Sequence, residues 1–322
     1  MNHSKTETSA ASFLIFTGNL ERRSIVLSCL TAALMAWISA SSGQTPAPTN
    51  AAVRPAVSSG REIRWPEMNP KLPTLWIIGD STVRNGQDNG NNGQWGWGNP
   101  IASYFDQTRI NVQNRAVGGT SSRTFYTSPA MWPAIVPLIK PGDFLIMQFG
   151  HNDGGAINDT SRARGTFKSN GEETQEIENL LTHKREVVHS YGWYLRKYIS
   201  EAREKGVVLS IVCSPIPRNR WSRGTIAPDS YGPIAQQAAR QADARFLDLN
   251  ARIIQKYVAL GESNVTATLF PAGETTHTDW AGAVLNAECV IEAIKAPPPS
   301  LLVQYLLPNP PKDLKNPVGK AR

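Results

Sequence analysis

Leu75-Trp76-Ile77-Ile78-Gly79-Asp80-Ser81-Thr82 is the stretch on which the fold turns: four apolar residues in a row, then a polar turn led by glycine. An unbroken apolar run of this length reads as a strand buried on both faces. The pattern recurs. Ile110 to Ala116 stops at Gly118-Gly119, and Phe144 to Phe149 stops at Gly150-His151-Asn152-Asp153; Val207 to Cys213 and Arg245 to Asp248 supply a fourth and fifth run. Segments of helical period lie between them, near 98–106, 130–139, 184–205, 231–243 and 249–260, with a last helix over about 280–295. Apolar strands joined by helices imply a parallel sheet covered on both faces, because right-handed crossovers lay helices over it. Ligands of such sheets bind beyond the carboxyl ends of the strands, where these polar turns fall.

The rest of the chain is consistent with one sizeable domain plus appendages. It has 322 residues, 40% hydrophobic and 18% charged, which excludes a disordered or collagen-like polymer. The net charge of +7 is scattered, so nucleic acid is a poor first guess, while an acidic polymer or a cell surface is open. Three cysteines, at 29, 213 and 289, form no C-x-x-C pair, and spacing leaves open whether Cys213 and Cys289 join. Arg22-Arg23 before the apolar stretch Ser24 to Ala40 reads as a signal peptide over residues 1–40, giving a secreted or periplasmic protein; an uncleaved anchor competes, and the export route is open. Residues 41–70 read as a flexible linker, 71–307 as the domain, and 308–322 as a proline-rich basic tail. No P-loop, H-E-x-x-H or dinucleotide fingerprint occurs, so no metal or cofactor is expected. A monomer is expected.

The turns carry groups suited to acyl transfer. Ser81 follows the first strand directly, at a strand-to-helix turn that would expose its hydroxyl near the positive end of a helix. Alone it could equally be a helix cap, and Val83 excludes the G-x-S-x-G elbow. If the first strand lies between the second and third, Gly119 and Asn152 sit one strand spacing, ~5 Å, to either side. A backbone N–H and a side-chain amide there could stabilise an oxyanion; an ordinary glycine turn and an Asx turn are the structural alternatives. A serine nucleophile needs a base, and five histidines are available. His3 lies in the leader, His151 in the Asn152 turn, and His183 and His189 at a charged segment, which leaves His277 before the last helix. Glu274, three residues earlier, could orient its imidazole.

Gly79-Asp80-Ser81, Gly119, Gly150-His151-Asn152-Asp153 and the carboxylate-x-x-His277 resemble the four blocks of the SGNH (GDSL) hydrolases. With Gly96-Trp97-Gly98 and Asn114 to Arg123 they are similar to the rhamnogalacturonan acetylesterase group, over about residues 72–297. The resemblance implies a flavodoxin-like three-layer α/β/α sandwich with a five-stranded parallel sheet. It also implies Ser81 as nucleophile, His277 as base, and an oxyanion hole made by the N–H groups of Ser81 and Gly119 and the Asn152 side chain. One residue departs from the pattern: the family usually has aspartate where this chain has Glu274. Glutamate is a methylene longer, so the loop must recede, and Asp279 is the alternative acid.

The resemblance implies removal of acetyl groups from pectin. Trp95, Trp97, Trp221 and Trp280 lie on or beside the catalytic-edge loops, where rings could stack on sugars or simply pack in the core. Arg162, Arg164 and Lys168, with Arg218, Arg220 and Arg223, could meet galacturonate carboxylates or form a solvated surface. The substrate-contact candidates are therefore Trp97, Trp221, Arg218 and Trp280. The long polar segment Gly154 to Leu181 reads as a wall of the site. The competing functions are a broader acetylxylan esterase, arylesterase or lipase, and a carbohydrate-binding protein whose Glu274 marks a decayed triad.

Overall fold

The computed structural model describes residues 65–85 and 90–318. Nine strands occur among them: β1 (Thr74–Gly79), β2 (Asn111–Asn114), β3 (Phe144–Gln148), β4 (Thr174–Glu178), β5 (Arg185–His189), β6 (Leu209–Cys213), β7 (Trp221–Ser222), β8 (Thr225–Ile226) and β9 (Arg245–Leu247). The helices are α1 (Ser122–Thr127), α2 (Trp132–Ile135), α3 (Tyr191–Glu204), α4 (Gly232–Gln241), α5 (Leu249–Leu260), α6 (Glu262–Thr268) and α7 (Trp280–Lys295). The central sheet has the order β2-β1-β3-β6-β9, and all its pairings are parallel. β1 therefore lies between β2 and β3, as the juxtaposition of the three turns requires.

Successive strand side chains point to opposite faces, so each apolar run feeds two cores. Leu75, Ile77, Phe144, Ile146, Ile211 and Leu247 join one cluster with residues of α5, α6 and α7. Trp76, Ile78, Leu145, Met147 and Val212 join the other with residues of α1 to α4. Burying one such side chain contributes roughly 1.5–3 kcal/mol, which makes the alternating rows, rather than surface charges, the force that sets both helical layers. Side-chain caps define the helix starts: Ser190 accepts from Trp193 N–H, Asp248 from Ala251 N–H and Asp279 from Gly282 N–H.

Several expected elements differ. The helical reading of 184–205 fails at its start, because 185–189 pairs antiparallel with 174–178 as a hairpin and Ser190 caps the helix only afterwards. The exposed Arg185–Glu176 pair on this hairpin, 2.9 Å apart, contributes at most about 1 kcal/mol. Arg123 anchors it instead: its fully buried guanidinium clasps both Glu186 oxygens at 2.7 Å and donates to Gly165 O at 3.0 Å. The stretch 98–106 forms only a 3-10 turn over Ile101–Tyr104, and 130–139 gives one α turn followed by a 3-10 turn.

The expected linker also ends earlier than residue 70. The Trp65 ring lies under the Arg115 guanidinium at 4.2 Å, and Asn69 N–H donates to Asn111 Oδ1 at 2.9 Å, so residues 65–70 belong to the body. At the other end Leu314 packs against the core, and its carbonyl accepts from Trp280 Nε1 at 2.6 Å. The signal-peptide reading of residues 1–40 falls outside the described residues. Cys213 and Cys289 are both free and buried.

Candidate active site

Among the described residues the segment after β1, Asp80 to Arg84, forms a tight turn and not a helix, so the expected positive helix end is not found there. Val83 and Arg84 N–H both donate to Asp80 O at 3.1 Å, and Asp80 Oδ1 accepts from Thr82 N–H at 2.9 Å and Thr82 Oγ1 at 2.7 Å. Below the turn runs a buried chain of donors. Trp97 Nε1 donates to Gln148 Oε1 at 2.8 Å, and Gln148 Nε2 donates to Thr82 Oγ1 at 2.6 Å. Trp97 is therefore a structural donor beneath the site: with 0% of its surface accessible it cannot stack on a sugar, contrary to its reading as a substrate contact. The segment 95–98 wraps the turn closely, and a Cβ on Gly96 would lie 2.3 Å from the Val83 carbonyl carbon.

Ser81 Oγ lies 2.8 Å from His277 Nε2, across 196 residues of sequence. On the far side of the ring, Nδ1 is 3.2 Å from Glu274 Oε2. A carboxylate can only accept, so Nδ1 carries the proton and Nε2 is left as the acceptor for the Ser81 hydroxyl. Glu274 meets its extra methylene by folding back on its own loop, where Oε1 accepts from the N–H groups of Thr275 at 2.8 Å, Thr276 at 2.7 Å and His277 at 3.3 Å. Burial raises the Glu274 pKa, but the Thr276 N–H and His277 outweigh it and hold the carboxyl below its ordinary range. Asp279 is not at the imidazole; it caps α7, and burial pushes its carboxyl up.

Gln94 escaped the sequence reading, because it sits in an irregular loop without periodicity. Its Nε2 donates to Glu274 Oε2 at 2.8 Å, while its Oε1 accepts from Asn85 Nδ2 at 3.0 Å, which fixes the orientation of the amide. The neighbouring main chain clips the two loops together: Trp95 N–H donates to Thr278 O at 2.8 Å and Thr278 Oγ1 to Trp95 O at 2.9 Å.

The flanking strand tips supply amide donors. Gly119 has φ of +82°, a left-handed conformation natural to glycine, and a Cβ on Gly118 would lie 3.4 Å from Ser81 Cβ. Among the described residues neither the Ser81 nor the Gly119 N–H has a hydrogen-bond acceptor. Asn152 Nδ2 donates one hydrogen to Thr120 O at 2.7 Å, which holds the amide and leaves its second hydrogen free.

The other sequence candidates are placed elsewhere. His151 lies on the buried side of the nucleophile turn, with Nδ1 3.5 Å from Asp80 Oδ2 and Nε2 donating to Ile216 O at 3.0 Å. Burial works against the Asp80 charge, yet His151 and Thr82 outweigh it and lower the pKa; Asp153 is pushed up to about 7, chiefly by burial. His183 is exposed, and His189 stacks on Trp193 at 3.6 Å. Trp95 is buried against Trp280, with ring centroids 4.8 Å apart. Trp221 packs on the core, and its Nε1 donates to Asn219 Oδ1 at 2.7 Å. Lys168 lies over the Tyr231 ring, and Arg220 and Arg223 are exposed. Arg218 does border the site, donating to Thr276 Oγ1 beside His277 and to His151 O at 3.3 Å.

The model of the GDSL-like Lipase/Acylhydrolase family matches residues 77–288. The chain is 29% identical over 223 residues to the rhamnogalacturonan acetylesterase of Emericella nidulans, a match that covers 69% of this chain and 84% of that protein. It is 30% identical over 226 residues to the probable rhamnogalacturonan acetylesterase YesY of Bacillus subtilis, covering 69% and 92%. Among solved structures, the crystal structure of the YxiM protein from Bacillus subtilis shares the fold, with a TM-score of 0.56 at 23% identity over 70% of this chain and 56% of that one. The chain belongs to the GDSL-like lipase/acylhydrolase family of carboxylic ester hydrolases, within its rhamnogalacturonan acetylesterase-like group.

Proposed function

We propose that the protein removes acetyl groups from an acidic plant cell-wall polysaccharide, rhamnogalacturonan or a related pectin, through an acyl-enzyme on Ser81. The observation that carries the acyl-transfer reading is the unbroken relay from Ser81 Oγ to His277 Nε2 at 2.8 Å and from His277 Nδ1 to Glu274 Oε2 at 3.2 Å, and the choice of a pectic polymer is supported by the similarity to rhamnogalacturonan acetylesterases. His277 Nε2 takes the hydroxyl proton as Oγ attacks the acetyl carbonyl, and Glu274 steadies the imidazolium that forms. The carbonyl oxygen gains charge, which the Ser81 and Gly119 N–H groups and the free hydrogen of Asn152 stabilise. The tetrahedral intermediate collapses as His277 returns the proton to the departing sugar oxygen. Water then repeats the cycle on the acetyl-enzyme, and acetate leaves.

The direct experiment is acetate release from acetylated rhamnogalacturonan, acetylated xylan and long-chain p-nitrophenyl esters. The pectic substrate should give the highest kcat/KM; preference for long acyl chains would overturn the sugar assignment. A second prediction concerns Gln94. A hydrogen bond to a charged group contributes about 1.5–3 kcal/mol, so Gln94→Leu should lower kcat roughly tenfold or more with KM little changed. Gln94→Glu should cost more, since it sets a second carboxylate against Glu274. Steady-state kinetics on a small acetate ester decide it: wild-type kcat in Gln94→Leu would remove Gln94 from the relay's support.

A further inference from the structure

Two guanidinium groups are anchored at the strand tips on either side of Ser81. Arg164 Nη1 donates to Gly119 O at 2.9 Å, at the β2 tip, and its stem passes within 3.4 Å of where a Gly155 Cβ would stand. Arg218 is held at the β3 tip and the His277 loop by its bonds to His151 O and Thr276 Oγ1. Both are half-buried. Among the described residues neither has a carboxylate oxygen within 4 Å.

The acids nearest to them are already engaged. Asp159 accepts from the N–H groups of Ser161, Arg162 and Ala163, Asp153 from Ser122, and Glu274 from its own loop and His277. Asp80 is held by Thr82 and His151, and Asp229 accepts from Tyr231 N–H. Each guanidinium is instead brought below its ordinary pKa, by burial first and then by a second cation, Arg162 beside Arg164 and Arg220 beside Arg218. Of the five N–H donors on each group, these anchors occupy one on Arg164 and two on Arg218. Partly desolvated, pre-positioned guanidinium with donors to spare is the form of arginine that binds planar anions in two-pronged fashion.

We propose that Arg164 and Arg218 are carboxylate-binding subsites that grip uronate groups of an acidic sugar chain lying across Ser81. The inference rests on the acetylesterase reading for its substrate, and it makes the charge of the polymer, rather than sugar stacking on tryptophan, the basis of recognition. A neutral xylan would leave both guanidinium groups without a carboxylate partner.

The test compares acetylated rhamnogalacturonan with the same polymer after its uronates have been reduced to neutral sugars. At low salt the wild type should show a kcat/KM at least about tenfold higher on the charged polymer. In the double variant Arg164→Gln/Arg218→Gln that ratio should fall toward one, whereas Lys184→Gln/Arg185→Gln, which removes the same charge from the hairpin, should keep it. Equal turnover of both polymers by the wild type, or an undiminished ratio in the double variant, would overturn the proposal. Calorimetric titration with deacetylated rhamnogalacturonan oligosaccharide decides the matter independently of catalysis. If no acetate ester is turned over, the esterase reading fails, and the arginine subsites stand or fall on whether the double variant binds this oligosaccharide at least about tenfold more weakly than the wild type.

Discussion

Ser81→Ala should lower kcat by a factor on the order of 10⁴ or more and abolish covalent labelling by a fluorophosphonate, because no other group occupies the position 2.8 Å from His277 Nε2. The substitution removes one oxygen and adds no atom, so the turn, held by Asp80 and Thr82, should survive with an unchanged circular dichroism spectrum and melting temperature. His277→Ala should lose labelling as well, since the hydroxyl would have no base. Two results would sink the assignment: full turnover by Ser81→Ala, or a wild type that neither labels nor releases acetate, which would leave a carbohydrate-binding protein as the better description.

Glu274→Gln should lower kcat by roughly 10²–10⁴-fold while the fold persists. The amide oxygen can keep the three backbone N–H bonds now made to Oε1, but its NH2 group would then face two donors, His277 Nδ1–H and Gln94 Nε2–H. Relief comes when the imidazole shifts its proton to Nε2, and in that tautomer the ring can no longer accept from Ser81. Asp279→Asn should behave differently. Asparagine caps helices about as well as aspartate, so α7 should hold and kcat should stay near the wild-type value. Activity that survives Glu274→Gln but is lost in Asp279→Asn would move the acid's role to Asp279.

The sheet was legible chiefly from β1 and β3, which are apolar on both faces and run into glycine-led polar turns, a pattern that surface loops do not imitate. The Glu274-x-x-His277 spacing was legible for a similar reason: both residues sit on one short loop, so local spacing stands for distance in space. Trp97 was misread because the sequence places a ring on a loop without saying which way it points, and here it points under the turn toward Gln148. The hairpin over 174–189 was hidden by its charged residues, which suit a solvated helix as well as a two-stranded ribbon. Gln94 had no readable signal at all, since its partner lies 180 residues away.

The clip between Trp95 and Thr278 joins segments 183 residues apart, and it carries the imidazole to a hydroxyl laid down near the start of the domain. A growing chain therefore exposes Ser81 long before it can react, and competence arrives only when the C-terminal helix α7 docks and the clip closes. Partial detachment of that segment would silence the enzyme while the sheet stayed whole, so turnover should report its release separately from global unfolding.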